Sequence, residues 1–365
     1  MKYMIRKERN SMELKTLLKE LPGLMTVSGY TYKSADKLNK MIGGEFDEYY
    51  QNRVGSHVFV RRCGRSNAPK IMIDTHYDEV GMMVTKVNKD GFLSITNVGG
   101  LDMRILQAAE VVVYGEDAEG NEKEIYGVIV STPPHLTKPA DVKKLKEIGE
   151  LYVDTGYSEE EIKKYVRVGT PVGFRGVYRD LLNGRISGKG FDCKSCSACA
   201  VYAIATTPKE ELAGDVYLVL SNFEEVGGQQ VGSVTAAYEI DPDYALVADV
   251  TGAVIPGSSN NVPKMGDGAS ITFAPITDRK MNKLLLKLLE EKGVKLSIEV
   301  AAGRTGTNTT GLNLVRAGVP IVDIGLPLRN MHTYNEVIDL ADAEAMAEVM
   351  RVFITSKEIA EVFGR

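Results

Sequence analysis

From residue 184 onward, short apolar runs alternate with segments of helical pattern. The apolar runs DVYLVLS, DYALVAD and VPIVDIG are each flanked by such segments. This alternation predicts right-handed crossovers and an α/β domain, with a mainly parallel sheet and helices on both faces. The earlier run KIMIDTH is apolar enough to be buried on both faces and is expected to join the sheet. The helices are expected at about 195–207, 231–239, 278–292 and 341–362.

Between about residues 84 and 176 the pattern changes to short alternating strands. GMMVTKV and FLSITNV are joined by the turn sequence NKDG, and VVVYG and IYGVIVS are separated by a polar stretch. These are signals of antiparallel hairpins. The segment SEEEIKKYV predicts one helix that begins after a serine cap. We therefore predict an α/β domain formed by residues 1–83 plus 177–365, interrupted by a β-rich insertion over residues 84–176.

Length and charge narrow the class of protein. A chain of 365 residues can form two domains, or one large domain with an insertion. A formal net charge of -5 argues against a nucleic-acid partner, because phosphate binding usually requires a basic surface. No apolar run approaches the ~18 to 20 residues of a membrane span. The basic start lacks the apolar centre of a secretory signal. We expect a cytoplasmic protein, with residues 1–11 as a loose extension before Met12.

Three of the four cysteines form a CxxCxxC pattern, which occurs in iron–sulfur and zinc sites. Their neighbours are serine and alanine, however, and no fourth ligand lies nearby in sequence. Buried thiols in a closely packed helix are the favoured interpretation, and a disulfide framework is not expected in a cytoplasmic chain of this size. The four residues are Cys63, Cys193, Cys196 and Cys199.

Acidic or imidazole side chains follow each strand that is predicted for the centre of the sheet. In an open parallel sheet, ligands bind beyond the carboxyl ends of the strands, so these side chains are expected to share one edge. They are His76 and Asp78 after IMID, Glu224 and Glu225 after VYLVLSNF, Asp249 after YALVA, His332 after IVDIGLPLRNM, and Asp192 just before the small-residue helix.

Each of these residues alone is weak evidence, because a strand-end aspartate usually caps a helix and a strand-end histidine usually forms a structural hydrogen bond. Together, so many carboxylates in one cleft would repel one another unless divalent cations neutralised them. Mixed histidine and carboxylate ligands suit zinc, cobalt or manganese better than calcium or magnesium. His57 and His135 lack a strand-end position and are expected to be structural or loop residues.

Several segments, in their order and spacing, resemble the glutamyl and deblocking aminopeptidases of peptidase family M42, the tetrahedral type. The resemblance runs through almost the whole chain from Met12 and implies a metallopeptidase domain with an inserted β-barrel-like dimerisation domain. It also implies peptide substrates and a homo-oligomer built from dimers, often a closed dodecamer. The matching segments are LLKELPGLMTVSGY, IDTHYDEVGMMV, NGRISGKGFD, the EEVG step, ADVTGAVIPG, RAGVPIVDIGLP and RNMHTYNEVIDLAD.

The resemblance also implies a role for each strand-end residue. His76, Asp192 and Asp249 would bind one divalent ion. Asp192, Glu225 and His332 would bind a second, with Asp192 bridging. Glu224 matches the general base, and Asp78 the residue that supports His76 from behind. Two such ions would activate a water molecule for attack on the peptide bond.

Four positions depart from the family pattern. Cys193 and Lys194 replace an acid or asparagine and an arginine, Asn308 replaces the aspartate of a Gly-Thr-Asp step, and Thr31 replaces a glutamate. None of these changes removes an implied metal ligand, so the activity class is expected to be kept, while substrate preference, metal preference and rate are left open.

Two other functions remain compatible with the sequence. One is a related hydrolase that acts on a different amide, such as an N-acyl amino acid. The other is a non-catalytic assembly protein that kept the fold, although retention of Glu224 with all five ligands argues against it. A glycosidase is not supported, because such enzymes use two carboxylates without metals.

Overall fold

Two sheets organise the described part of the chain, which comprises residues 12–228, 230–258 and 262–365 of a computed structural model. One is an 11-stranded sheet and the other is a closed six-stranded barrel. The extension expected over residues 1–11 lies outside the described residues. No helix in the described ranges is both long enough and apolar enough to cross a membrane.

The strands are β1 (Glu48–Gln51), β2 (His57–Arg61), β3 (Lys70–His76), β4 (Gly81–Val87), β5 (Leu93–Val98), β6 (Glu110–Glu116), β7 (Glu122–Val130), β8 (Tyr152–Asp154), β9 (Pro171–Phe174), β10 (Arg179–Asp180), β11 (Arg185–Gly188), β12 (Asp215–Ser221), β13 (Tyr244–Gly252), β14 (Ala269–Phe273), β15 (Leu296–Val300), β16 (Ile321–Arg329) and β17 (Glu336–Asp339). The α-helices are α1 (Leu14–Glu20), α2 (Ala35–Ile42), α3 (Glu159–Ile162), α4 (Phe191–Thr206), α5 (Val231–Ile240), α6 (Arg279–Glu291), α7 (Thr309–Leu312), α8 (Leu340–Thr355) and α9 (Lys357–Phe363).

The large sheet is parallel at its centre and antiparallel towards its edges. Its order is β1-β2-β12-β3-β13-β16-β17-β11-β10, and β14 and β15 branch from β16. The central strands β12, β3, β13 and β16 are parallel to one another. The predicted α/β class is confirmed, with a mixed rather than a mainly parallel sheet. Short connections such as that between β16 and β17 cannot make the crossover that a parallel pair requires, so they give antiparallel neighbours.

Helices cover the two faces of this sheet. On one face α4 packs against β3, β13 and α8, and on the other α5 packs against β12 and α7. The small residues of α4 are almost all buried and allow this close approach. All four cysteines are free and buried, as the favoured interpretation expected. The closing helical segment breaks at Ser356, whose hydroxyl accepts the N–H of Ile359 and begins α9.

The β-rich segment forms the closed barrel, in the order β4-β5-β8-β7-β6-β9. β4 pairs with β5 and β6 with β7 as antiparallel hairpins, as the sequence predicts. The barrel has a buried apolar core of its own, separate from that of the large sheet. Ser158 caps α3 through a reciprocal capping box with Glu161, although the helix is only one turn long. The barrel strands begin directly after β3 and end just before β10, which makes the barrel an insertion.

Candidate metal centre

The five residues expected to bind metal lie together at the carboxyl edge of the parallel strands. His76 ends β3 and Asp249 lies near the end of β13. Glu225 follows β12 in a tight turn, Asp192 lies in the first turn of α4, and His332 lies in the loop between β16 and β17. Residues from five segments of the chain therefore converge at one place.

A first group of donors surrounds the His76 imidazole. Its Nε2 lies 3.0 Å from Asp192 Oδ1 and 3.5 Å from Asp249 Oδ1. The Cys193 sulfur belongs to the same group of nearby donor atoms. It already has protein partners, since Thr75 donates a hydrogen bond to it and the thiol faces the carbonyl of Ala248.

A second group forms around His332. The Nε2 of this histidine lies 3.2 Å from Glu225 Oε2 and 3.4 Å from Asp192 Oδ2. Asp192 is thus shared by both groups, with Oδ1 facing His76 and Oδ2 facing His332. One carboxylate with its two oxygens directed at two different donor sets is the arrangement that a bridging ligand requires.

Asp78 acts on the centre in two ways. Its backbone carbonyl accepts the hydrogen of His76 Nδ1 at 2.9 Å, which leaves Nε2 free to bind a metal. Its carboxylate lies farther from Nδ1, at 3.8 Å, and accepts the backbone N–H groups of Glu224 and Glu225, each at 3.2 Å. The support for His76 therefore comes from the carbonyl of Asp78, while the side chain fixes the Glu224–Glu225 turn.

On the other side of the centre, Glu336 plays a role equivalent to that of the Asp78 carboxylate. The sequence did not reveal this role. Its two carboxylate oxygens accept the backbone N–H groups of His332, at 3.1 Å, and Asp192, at 3.2 Å. His332 has a left-handed backbone with φ of 60°, a conformation that costs a non-glycine residue free energy. The bond to buried Glu336 helps to hold it. The only sequence signal was an acid four residues after His332.

The cluster concentrates several buried carboxylates that repel one another. The pKa of Glu224 is raised to about 8, mainly by burial and further by the negative charges of Asp249 and Glu225. Burial and then Asp192 raise the pKa of Glu225 to about 7. Burial alone would raise the pKa of Asp192, but hydrogen bonds from His332 and His76 hold it below its usual range. Crowded, desolvated carboxylates of this kind are stabilised by a bound cation.

The donor atoms fit a divalent metal. Glu225 Oε1 is buried and has no hydrogen-bond partner among the described residues, so it is available as a ligand. Each group contains one imidazole nitrogen and carboxylate oxygens, the set typical of zinc and related first-row ions.

The departures from the family pattern are all buried. Lys194 donates to Thr26, and with Lys189 it pairs with Glu79, at 3.0 Å and 2.8 Å respectively. The Asn308 amide donates to Asp74 and to Ser221, just behind the strand ends. These side chains contact the scaffold around the centre and leave the metal-binding set intact. Thr31 also contacts the scaffold, because its hydroxyl donates a hydrogen bond to the carbonyl of Gly55.

The two other histidines lie outside both groups. His57 is buried between Tyr49 and the carbonyl of Thr31, and burial lowers its pKa to about 4. His135 is exposed in the loop between β7 and β8. The expectation of structural or loop positions for them agrees with these environments.

The barrel closes one side of the centre. Phe174 of β9 packs against Tyr334, with ring centroids 5.5 Å apart, and so supports the loop that carries His332. At Gly100 a side-chain carbon would lie 3.6 Å from the His332 ring, and at Gly99 it would lie 3.1 Å from the carbonyl of Glu225. The barrel backbone thus approaches both ligand-bearing loops closely, which leaves a narrow crevice between the two sheets.

Comparison with known proteins adds a family. Residues 55–349 match the M42 glutamyl aminopeptidase family. The lysyl aminopeptidase of Pyrococcus furiosus is 28% identical over 347 residues, which cover 94% of this chain and 96% of the relative. A TET aminopeptidase from a marine-sediment archaeon of the Thaumarchaeota has a similar structure, with a TM-score of 0.86 and 28% identity. The match covers 96% of this chain and 98% of the archaeal chain. The TET1 peptidase of Pyrococcus horikoshii has a TM-score of 0.81 at 24% identity, and the match covers 94% of this chain and 100% of the TET1 chain. That peptidase can assemble into a tetrahedron or a large octahedral shell.

Proposed function

Since the chain belongs to the M42 glutamyl aminopeptidase family and is therefore a peptidase, we propose that it removes N-terminal residues from peptides with the help of two divalent cations. The observation that carries the proposal is the position of Asp192, whose two oxygens face two different histidine–carboxylate groups. A single metal site, or an ion pair that only stabilises the fold, would not require the two oxygens of Asp192 to face separate donor groups.

The proposed ligands follow from the two groups. His76, Asp192 and Asp249 would hold one ion, and Asp192, Glu225 and His332 the other. Zinc or cobalt fits this donor set best, and manganese is also compatible. When bound, such ions polarise a carbonyl group and lower the pKa of water, which makes a nucleophile available at neutral pH.

Glu224 is proposed as the general base. Its carboxylate belongs to neither donor group, yet its backbone is held beside Glu225 by the Asp78 side chain. In this role Glu224 takes a proton from the attacking water at a carboxylate oxygen and passes it to the nitrogen of the leaving amine. Asp78 is a positioning residue, because it fixes the turn and, through its carbonyl, the His76 ring.

Assembly and location are further parts of the proposal. We assign residues 1–83 plus 177–365 to catalysis and residues 84–176 to a dimer contact, as the first step towards a closed homo-oligomer. The outer face of β7 supports this contact, because Tyr126 and Val128 are exposed there. The shells formed by the P. horikoshii relative agree with it. Four free, buried thiols suit a reducing compartment such as the cytoplasm.

Two neighbouring substitutions test the division of roles. Glu224→Gln keeps the size of the side chain and removes the base, so metal content should persist while turnover on a free N-terminal peptide falls by ~10² to 10⁴-fold. Glu225→Gln should instead lower metal content, and excess metal should partly restore activity. Near-normal turnover of Glu224→Gln with its metal in place would disprove the assignment of the base.

A blocked N-acyl peptide assayed beside its free counterpart separates the alternative reaction. Cleavage of the blocked substrate alone would favour an acylase over an aminopeptidase.

A further inference from the structure

A small cluster of polar side chains lies on the large sheet beside Asp249. Gly325 of β16 is the strand neighbour of both Asp249 on β13 and Ser270 on β14. A side-chain carbon at Gly325 would lie only 2.6 Å from Ser270 Oγ and 2.9 Å from Thr251 Cγ2. The glycine therefore allows the Thr251 and Ser270 side chains to converge over the strand, next to a proposed metal ligand.

The carboxylate of Glu299 from β15 completes this polar cluster. It accepts hydrogen bonds from the hydroxyls of Thr251, at 2.9 Å, and Ser270. The side chain is partly exposed, and no described lysine, arginine or histidine forms a salt bridge with it; nearby Lys295 pairs instead with Asp267. A carboxylate that is oriented by two neutral hydroxyls keeps free lone pairs, and its best additional partner is a cationic donor.

We propose that Glu299 determines a preference for peptides whose N-terminal residue is basic. The inference rests on the proposed aminopeptidase function, which brings the first residue of the substrate to the metal centre. Thr251 lies two residues beyond Asp249 on the same face of β13, about 7 Å along the strand. The four-carbon stem of lysine, or the slightly shorter stem of arginine, suits that separation, and its charge meets Glu299. An acidic first residue would be repelled.

The test compares lysine with norleucine, which has the same stem without the charge. For the wild-type enzyme loaded with zinc or cobalt, kcat/KM for lysyl p-nitroanilide should exceed that for the norleucyl substrate by about 10-fold or more. Glu299→Gln should reduce this ratio about 10- to 100-fold. Glu291→Gln, on exposed α6 surface, is the matched control and should keep the ratio. Calorimetry should show the same loss of preference for free lysine over free norleucine.

The outcomes are distinguishable. A wild-type enzyme that cleaves norleucyl and lysyl substrates equally well would overturn the role of Glu299 and leave the aminopeptidase function intact. An equal fall for both substrates in Glu299→Gln would also overturn it, because it would assign Glu299 to the common α-ammonium group or to the scaffold. Failure to cleave any N-terminal residue would instead contradict the proposed function itself.

Discussion

Replacing Glu336 by glutamine tests how the scaffold holds the metal centre. The carboxylate accepts one backbone N–H from His332 and one from Asp192. Glutamine offers one oxygen and one NH₂ group, so one of these two N–H groups would face another donor. A hydrogen bond to a charged acceptor contributes ~1.5 to 3 kcal/mol, and Glu336 is buried, so little of this is lost to solvent. A loss of ~1.4 kcal/mol in binding free energy weakens affinity tenfold, so metal binding should weaken about 10- to 100-fold.

The effect is measured by competition for zinc between the protein and a chelator of known affinity. Glu344→Gln, on the exposed side of α8, makes the same chemical change away from the centre and should bind zinc as the wild type does. Circular dichroism of both variants checks that the fold is kept. Wild-type zinc affinity in Glu336→Gln would refute the conclusion that this side chain positions His332 and Asp192.

Three other results are expected. Glu79→Gln leaves the buried ammonium groups of Lys189 and Lys194 without their carboxylate, so denaturant unfolding should show a loss of ~3 to 5 kcal/mol, and a loss below ~1 kcal/mol would contradict the buried network. The four cysteines should react with a disulfide reagent far more slowly in the native protein than in denaturant, and one thiol that reacts natively at the rate of free cysteine would contradict their burial. Sedimentation of the intact protein at micromolar concentration should show species well above the 39.9 kDa chain, and a strictly monomeric profile would refute the proposed dimer contact.

The sequence predicted the parts of the fold that depend on local pattern. The alternation of apolar runs and helices predicted the α/β sheet, and the short hairpins predicted the β-rich insertion. Its barrel-like form was implied by the family resemblance alone. The antiparallel edges of the sheet were not predicted, because β10, β11 and β17 are short and their pairing depends on distant partners. The break at Ser356 was also missed, since the apolar pattern continues across it.

Some parts of the candidate site could be predicted from the sequence, and others could not. His76 and Asp249 were predictable because the carboxyl end of a buried parallel strand places its last residues at one edge of the sheet. The contribution of Glu336 was not, because it acts through a bond to the backbone of Asp192, 144 residues earlier. The two roles of Asp78 were likewise hidden, since sequence spacing does not distinguish its carbonyl from its carboxylate. Such contacts appear only once the tertiary fold is known.

Stepwise metal titration shows whether two cations share Asp192. Protein freed of metal with a chelator is titrated with zinc in a calorimeter, and hydrolysis of an aminoacyl p-nitroanilide is measured at each point. Two equivalents per chain should bind, full activity should require them, and Asp192→Asn should weaken both. Saturation at one equivalent, or hydrolysis that persists in the fully chelated protein, would refute a two-metal centre bridged by Asp192.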